Sequence, residues 1–328
     1  MPRKRSRSTS GTLSSRASWR TRALNASCES SRGMTAVGRW RSFEAMKRTV
    51  FRENTGLGED YDMATARWAL ITGASTGIGR ELASLAAADG RDVVLVARNA
   101  GRLEQAAEEI RASSGVRAVT LPMDLVEPGA PERLHAATGE RGMEVDFLVN
   151  NAGFGMSRRF ADVPLAVQRS MIGLNLSALA ELCHLYLPGM LERGRGRILN
   201  VGSGAGYVPG LGFTTYASTK AFVLHLTEGL AGELAGTGVT VSVLCPGPVN
   251  TPFLGTAGIA GFSGIRRLAL ADPGPVARAG YRGALKGKVV INPGFFPRLV
   301  PFVPRLLPRF AVRWLGKQVG RQMARRTG

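Results

Sequence analysis

The sequence is poor in cysteine and lacks a long uninterrupted apolar run. Its 3 cysteines, Cys28, Cys183 and Cys245, stand far apart among 328 residues, a spacing that argues against a disulfide framework and against a zinc site. No stretch approaches the roughly 18 consecutive apolar residues of a membrane span, and the Arg-rich start has no apolar signal core. These absences predict a cytoplasmic globular protein with reduced thiols and no metal.

Acidic residues are scarce as well. Asp and Glu number 24 against 43 Lys and Arg, which gives a formal net charge of +19. The excess lies at the ends, because residues 1–62 hold 13 basic and 6 acidic residues and residues 297–328 hold 8 basic and none that are acidic. A nucleic-acid-binding protein would interleave aromatic residues with such basic stretches, and only Trp19 and Trp40 qualify. We therefore expect no nucleic-acid partner.

Residues 1–62 are predicted to form a disordered basic extension. Residues 1–33 contain nine Ser and eight Lys or Arg, with too few aliphatic side chains to bury a core. Two explanations stay open. Either the segment is translated from upstream codons and the true start is Met63, or it is a transit peptide, since residues 1–33 have Glu29 as their only acid.

From Arg67 onward, short apolar runs alternate with helical stretches such as Arg102–Ser113 and Thr215–Ala235. This alternation predicts an α/β fold, a doubly wound parallel sheet of Rossmann-like type in a single domain over residues 63–294. Gly90 is the expected stop of the first helix. The predicted strands are Trp68–Ile71, Val93–Val96, Val119–Leu121, Phe147–Val149, Ile198–Val201, Val239–Leu244 and Val289–Ile291.

A glycine-rich turn follows the first predicted strand, where residues 72–79 read Thr-Gly-Ala-Ser-Thr-Gly-Ile-Gly. Glycines in such a turn let the backbone approach a pyrophosphate, whose charge meets the helix N-terminus. A dinucleotide fold places an acid for the ribose, or a base for a 2′-phosphate, at the end of the second strand. Arg98 stands there and no carboxylate does. Because a guanidinium suits phosphate, the expected cofactor is NADP(H) in preference to NAD(H).

A second group of polar residues lies in and before the long predicted helix. Tyr216 and Lys220 are four residues apart, which places them on one helix face. Lys220 is the only lysine between Lys47 and Lys286. In a chain that otherwise uses arginine, this indicates a need for a compact ammonium group that can hydrogen-bond a ribose and lower the pKa of a phenol. Ser203 follows the fifth strand, at the edge where open α/β sheets bind ligands.

With these motifs in this order, the chain resembles the short-chain dehydrogenase/reductase family over about residues 67–294. The resemblance implies an enzyme that moves hydride between NADP(H) and a small carbonyl or alcohol substrate and that assembles as a homodimer or homotetramer. Further marks of the family stand after the predicted strands. They are Asp124 after the third, Asn150-Asn151-Ala152-Gly153 after the fourth, Asn175, and Pro246-Gly247-Pro248-Val249-Asn250-Thr251 after the sixth.

The resemblance also implies a role for each of these residues. Tyr216 would be the general acid, and Lys220 would orient the ribose and stabilise the phenolate. Ser203 would hydrogen-bond the substrate oxygen, and Asn175 would hold a water between Lys220 and solvent. The implied cofactor-binding residues are Gly73, Ser75, Thr76, Gly77, Ile78, Gly79, Arg98, Asp124, Leu125, Asn151, Ala152, Gly153, Tyr216, Lys220, Pro246, Gly247, Val249 and Thr251.

Residues 252–270 are the expected substrate lid. Their apolar side chains favour a lipophilic ketone, such as a 3-oxoacyl thioester or a steroid-like carbonyl, although packing of the lid onto the domain is an equal alternative. Gly202, where many members of the family have a serine, is expected to enlarge the pocket. A dinucleotide-binding scaffold without turnover, or a membrane-associated binding protein, is the other function left open, and the complete set of catalytic residues argues against loss of turnover.

Residues 295–328 form a tail that the core fold does not require. Four prolines between positions 297 and 308 exclude a regular helix there. From Arg309 a basic amphipathic helix is predicted, which suits peripheral attachment to an anionic membrane, at its inner face. Packing of the apolar side of the tail on the domain or on a partner subunit is the alternative. The basic residues at four-residue spacing are Arg309, Arg313, Lys317, Arg321 and Arg325.

Overall fold

The computed structural model describes residues 67–210, 212–257, 270–294, 306–308 and 310–314. Within them strands and helices alternate along the chain. The strands are β1 (Trp68–Thr72), β2 (Asp92–Ala97), β3 (Ala118–Pro122), β4 (Val145–Asn150), β5 (Gly196–Val201), β6 (Val239–Leu244) and β7 (Val290–Ile291). The α-helices are α1 (Gly77–Ala88), α2 (Ala100–Ser114), α3 (Ala130–Gly139), α4 (Leu165–Ile172), α5 (Leu179–Glu192), α6 (Thr214–Glu233), α7 (Pro252–Thr256) and α8 (Pro273–Leu285).

The seven strands form one parallel sheet in the order β3-β2-β1-β4-β5-β6-β7. The chain order reverses between β1 and β4, and ligands of such sheets bind in the crevice at the carboxyl ends of the strands beside this reversal. The doubly wound parallel sheet predicted from the sequence is confirmed. Most strands extend one or two residues beyond the predicted apolar runs, because ladder hydrogen bonds continue past the last apolar side chain.

The sheet is buried on both faces, which explains why its strands read as continuous apolar runs. Every residue of β1 and of β4 is buried, as expected for parallel strands covered by helices on both sides. Helices α1 and α8 pack against each other, and α5 covers β4 and β5. The fold therefore leaves the carboxyl edge of the sheet as the place where loops bring polar side chains together.

Two glycines shape the entry into α1. Gly73 has a φ of +66° and Gly77 a φ of +59°, a left-handed conformation that side chains with a β-carbon rarely adopt. The turn bends the chain sharply from β1 into the helix, as the sequence predicts. Gly90, with a φ of +77°, follows the end of the helix at Ala88, so its predicted role as a stop signal is also confirmed.

A π-helical segment, Gly173–Ala178, joins α4 to α5. Together they make the stretch Leu165–Glu192, which is long and apolar enough, by length and composition alone, to cross a membrane. The sequence predicts no membrane span here, because polar residues such as Gln168, Arg169 and Glu181 interrupt the apolar ones. The core helix of a globular domain passes the same test, and here α5 packs on β4 and β5 with Leu182 and Met190 fully buried.

Several predictions made from the sequence fall on residues outside the described ranges. These are the basic extension over residues 1–62, most of the lid beyond Ala257, and most of the tail. The lid begins at Pro252 with α7. In the tail, residues 310–314 are helical, with Val312 buried and with Phe310 and Trp314 exposing 68% and 58% of their surfaces.

Candidate active site

The carboxyl edge of the sheet carries the glycine-rich turn after β1, and a β-carbon could not be added at its glycines without a collision. At Gly79 it would lie 2.3 Å from the carbonyl oxygen of Gly73, and at Gly73 it would lie 2.7 Å from Nδ2 of Asn151. At Gly77 it would lie 2.9 Å from Cγ2 of Thr251. Atoms of the fold already occupy the positions that β-carbons would take, so only glycine allows the turn to pack this tightly. The peptide N–H groups at the start of α1 fit a pyrophosphate.

Thr72 and Asn151 fasten this turn to the segment that follows β4. The hydroxyl of Thr72 accepts hydrogen bonds from the backbone N–H groups of Asn151 and Ala152, both at 3.0 Å. In return, Nδ2 of Asn151 donates to the carbonyl oxygens of Thr72 at 2.9 Å and Gly73 at 3.1 Å. The sequence pointed to Asn151 but not to Thr72, whose role depends on a contact 79 residues away.

Ser203, Tyr216 and Lys220 converge from two elements. Ser203 follows β5, whereas Tyr216 and Lys220 lie one turn apart on α6. The hydroxyl of Ser203 faces the phenol of Tyr216 and acts to lower its pKa. Nζ of Lys220 lies 5.9 Å from the centre of the Tyr216 ring. The structure therefore brings together the three residues that the sequence grouped from separate motifs.

Burial dominates the acid–base behaviour of this cluster. It raises the pKa of the Tyr216 phenol to about 12, although the hydrogen bond with Ser203 acts in the opposite direction. It lowers the pKa of the Lys220 ammonium to about 8, because a dry site disfavours the charged form of either group. Perturbed groups of this kind, paired at a sheet edge where ligands bind, are typical of catalytic sites.

Asn175 lies in the π-helical segment, is fully buried and holds the loop after β4. Its Nδ2 donates to the carbonyl oxygen of Phe154 at 2.8 Å, and its Oδ1 accepts from the N–H of Phe154 at 3.0 Å. Nδ2 also lies 3.2 Å from the hydroxyl of Thr219 on α6. Short π-helical turns are frequent at functional sites, and this one aims an amide at the loop beside Lys220.

Gly153 keeps Asn175 and Lys220 close to each other. A β-carbon at position 153 would lie 2.9 Å from Oδ1 of Asn175 and 3.6 Å from Nζ of Lys220. Both polar groups therefore border the space where a side chain would stand. A glycine is needed at this position because the side chains of Asn175 and Lys220 leave no room for a β-carbon. Its backbone conformation does not require glycine.

The remaining predicted cofactor residues line the same edge. Arg98 follows β2 with 78% of its side chain exposed, and its Nη1 lies 3.8 Å from a carboxylate oxygen of Asp124 after β3. Leu125 is buried. Ser75, Thr76, Ile78 and Gly247 are partly buried in the turns after β1 and β6, and Pro246 and Val249 are buried in the segment after β6.

Gly202 does not enlarge the pocket, so that expectation is wrong. A β-carbon at position 202 would lie 2.8 Å from Cγ2 of Val243 and 3.2 Å from Sγ of Cys245. These two side chains of the neighbouring strand already fill the space that a serine would need. The sequence could not show this, because the filling residues are more than 40 positions away.

The sequence also missed the surroundings of the catalytic cluster. Cys245 is fully buried behind it, hydrogen-bonded to the hydroxyl of Tyr207 and to the backbone of Ser203. Tyr207 in turn donates to Oδ1 of Asn292 at 3.1 Å, which ties the end of β7 to the site. No pattern in the sequence relates Cys245 to Tyr207, since neither belongs to a motif with a fixed spacing.

Among the described residues, no group of three or more His, Cys, Asp or Glu side chains is placed to hold a metal ion. The polar groups of the site are instead a phenol, an ammonium, a hydroxyl and a carboxamide. Such a set can donate or accept one proton and can stabilise charge on a substrate oxygen.

Comparison with curated proteins finds relatives that are named as reductases. The ketoacyl reductase HetN of Nostoc sp. is 37% identical over 187 residues, which cover 57% of this chain and 64% of the relative. The very-long-chain 3-oxoacyl-CoA reductase of Homo sapiens is 35% identical over 195 residues, covering 58% of this chain and 59% of the relative. In both, the matched region spans less than two thirds of the relative.

A third relative, the very-long-chain 3-oxoacyl-CoA reductase of Laccaria bicolor, is 34% identical over 251 residues, covering 75% of this chain and 71% of the relative. Among solved structures, the short-chain dehydrogenase from Sphingobium yanoikuyae in complex with NADPH has a TM-score of 0.65 at 32% identity, covering 78% of this chain and 94% of that chain. Residues 67–258 match the family model described as short chain dehydrogenase. The chain therefore belongs to the short-chain dehydrogenase family.

Proposed function

We propose that this protein reduces 3-oxoacyl thioesters to the corresponding alcohols with NADPH as the hydride donor. The observation that carries the proposal is the cluster of partly buried Ser203 and Tyr216 with buried Lys220 at the carboxyl edge of the sheet, next to the glycine-rich turn. Scaffold proteins that only bind a dinucleotide have no need of a buried phenol and ammonium side by side. The complete cluster thus favours an enzyme.

In this proposal Tyr216 supplies the proton. Its phenol is neutral at physiological pH, because burial raises its pKa to about 12, and it is therefore able to protonate a substrate oxygen as negative charge develops there. Ser203 faces the same hydroxyl and acts to lower its pKa, so a carbonyl oxygen that approaches both groups meets two donors. Two fixed donors stabilise the developing oxyanion without rearrangement of solvent.

Lys220 makes loss of that proton easier. A positive charge near the phenol favours the phenolate form, and the ammonium is fixed by a hydrogen bond of 2.7 Å to the carbonyl oxygen of Val201. Asn175 holds the loop at Phe154 and borders the same space as Lys220 through Gly153. We propose that this arrangement accommodates the water through which Lys220 exchanges protons with solvent.

The residues that would hold the cofactor fit a dinucleotide. Gly73, Gly77 and Gly79 let the turn pack tightly at the start of α1, where peptide N–H groups can meet a pyrophosphate. When bound, the nicotinamide supplies the hydride. The exposed guanidinium of Arg98 beside Asp124 is suited to a 2′-phosphate. Neighbouring structures support NADP(H): the dehydrogenase from Sphingobium yanoikuyae is titled as a complex with NADPH, and that from Thermococcus sibiricus as a complex with 5-hydroxy-NADP.

The substrate class is supported by the lid and by the relatives. Phe253 on α7 brings an apolar ring against Tyr216, and three relatives are named as reductases of ketoacyl or very-long-chain 3-oxoacyl substrates. A steroid-like ketone is the second candidate. It is favoured by a relative from Danio rerio, named 17-beta-hydroxysteroid dehydrogenase type 3, that is 30% identical over 204 residues.

The test is a substrate series with the full-length protein. NADPH oxidation is followed with acetoacetyl-CoA, with 3-oxoacyl-CoA substrates of medium and long chain, and with a 17-ketosteroid. The proposal expects kcat/KM to rise with acyl chain length and to exceed the value for the steroid. Tyr216→Phe should keep its NADPH affinity and lose turnover by a few orders of magnitude, because only the proton donor is removed. Turnover of the steroid alone would favour the second candidate, and no turnover of any ketone would favour the scaffold.

We further propose that the domain spans residues 63–294 and that it acts in the cytoplasm as a homodimer or homotetramer.

The tail, in this proposal, lies against an anionic membrane. The exposed surfaces of Leu306, Phe310 and Trp314 support the membrane role, whereas the buried Val312 supports packing on the domain. Full-length protein is expected to cosediment with phosphatidylglycerol vesicles at low salt and to dissociate at high salt. Absence of binding at low salt would leave packing as the role of the tail.

A further inference from the structure

The ring of Tyr216 contacts two phenylalanine rings. Phe213, just before α6, lies with its ring centre 5.8 Å from that of Tyr216 at an interplanar angle of 64°. Phe253, on α7, lies at 5.5 Å with an angle of 47°. Both separations are in the range where aromatic pairs attract each other beyond simple burial of area. The phenol is thus held by its own helix and by the start of the lid.

The loop after β4 packs against the same pair of rings, Tyr216 and Phe253. A β-carbon on Gly155 would lie 2.9 Å from Cδ2 of Tyr216 and 3.1 Å from Cζ of Phe253. The backbone at position 155 therefore packs against both rings at once. Because these three residues come from three different segments, the contact depends on the folded site and not on any one element.

Helix α7 is fixed at both of its ends. At its start, Thr251 packs against Gly77 of the glycine-rich turn. At its end, the carbonyl oxygen of Ala257 accepts a hydrogen bond of 2.8 Å from the N–H of Ser157, and Ala257 is fully buried. Phe253 consequently stands on a short helix whose position is set on one side by the turn and on the other by the loop after β4.

We propose that Phe253 is a positioning residue for Tyr216, which holds the phenol ring in the orientation that presents its hydroxyl to Ser203 and to the substrate oxygen. The inference rests on the proposed function and extends it to a residue outside the family motifs. A tyrosine ring turns about two side-chain bonds, and a neighbouring ring removes part of that freedom before substrate arrives. Loss of the neighbour should lower the rate of the chemical step more than it lowers binding.

The experiment compares Phe253→Leu with Phe160→Leu, the same substitution at a phenylalanine outside the site that exposes 64% of its surface. For Phe253→Leu we expect kcat with NADPH and a 3-oxoacyl-CoA to fall about fivefold to tenfold, the size that one aromatic pair supports. The NADPH Kd should stay within about twofold of wild type. Phe160→Leu should retain the wild-type kcat and KM.

A second variant tests the contact from the other side. In Gly155→Ala the added methyl group presses on Tyr216 and Phe253, so kcat should fall, and it should fall less when Phe253→Leu has already made room. This double-mutant cycle shows whether the two substitutions disturb one shared contact or act independently. Additive losses of Gly155→Ala and Phe253→Leu would overturn the proposal.

The pH dependence of alcohol oxidation distinguishes a positioning role of Phe253 from a merely structural one, because a structural role would not shift it. Burial is the main cause of the high pKa of Tyr216, so loosening the Phe253 contact should shift the rise of alcohol oxidation with pH to lower pH. Lys220, Ser203 and Cys245, which also face the phenol, are unchanged in this variant. An unshifted profile with an unchanged kcat would refute the positioning role. A wild-type enzyme that reduces no ketone would instead refute the proposed function.

Discussion

The ammonium group of Lys220 donates a hydrogen bond of 2.7 Å to the carbonyl oxygen of Val201 and is almost entirely buried. The side chain on which the proposed proton transfer depends is therefore kept in a place that disfavours its charge, and burial lowers its pKa to about 8. We expect a buried functional group of this kind to lower the free energy of unfolding of the protein.

The first prediction is that Lys220→Met stabilises the protein without cofactor by about 1 to 3 kcal/mol at neutral pH while it abolishes turnover. Between about pH 8 and pH 10.5 the native state binds fewer protons than the unfolded state, because the pKa of Lys220 is lowered from 10.5 to about 8. The free energy of unfolding of the wild type should therefore rise over this window, and the rise should be smaller in the variant. Urea denaturation at several pH values measures both effects. A variant less stable than wild type throughout would contradict the prediction.

The second prediction concerns the rate of ketone reduction. It should decline as pH rises through about 8, where Lys220 loses its charge, whereas Tyr216 stays protonated over the same range because its pKa is about 12. A pH profile of kcat in the reductive direction tests this. Ser203→Ala serves as the control, since it should lower the rate and leave the position of the decline unchanged. A rate that stays constant well above pH 8 would show that the positive charge of Lys220 is not required for reduction.

The third prediction is that NADPH binds at least tenfold more tightly than NADH and that Arg98→Ala removes most of this difference. A tenfold ratio corresponds to about 1.4 kcal/mol, which one guanidinium–phosphate contact can supply. Arg102→Ala, which changes another exposed arginine close to Arg98 in the chain, is the matched control and should preserve the ratio. Fluorescence titration of both cofactors gives the Kd values. Equal Kd values for NADPH and NADH in the wild type would show that Arg98 does not select the phosphate.

The fourth prediction is that Gly202→Ser destabilises the fold by about 1 to 3 kcal/mol through overpacking against Val243 and Cys245. Cys245→Ala in the same chain should recover part of the loss, because it removes one of the two atoms that block the space. Thermal or urea denaturation of the single and double variants measures the recovery. If Gly202→Ser is neutral alone, the site has more room than the distances indicate.

The sequence predicted the sheet, the order of its strands along the chain, and the grouping of Ser203, Tyr216 and Lys220. These features depend on local signals: continuous apolar runs, a glycine-rich turn, and a pair of residues at helical spacing. The filling of the space beside Gly202 and the contact between Phe253 and Tyr216 could not be predicted. Each depends on side chains that meet only when distant segments pack, and no periodicity in the chain records which atoms touch.

Two contacts at the start of α7 give the site a property that no single residue has. Thr251 rests on the glycine-rich turn and Phe253, two residues later, rests on the ring of Tyr216. A ligand that displaces the helix at one of these contacts must alter the free energy of binding at the other, and linkage requires the effect to be equal in both directions. Occupancy of the turn would then change how the ring of Tyr216 is held, and so change the affinity of the site for the second ligand.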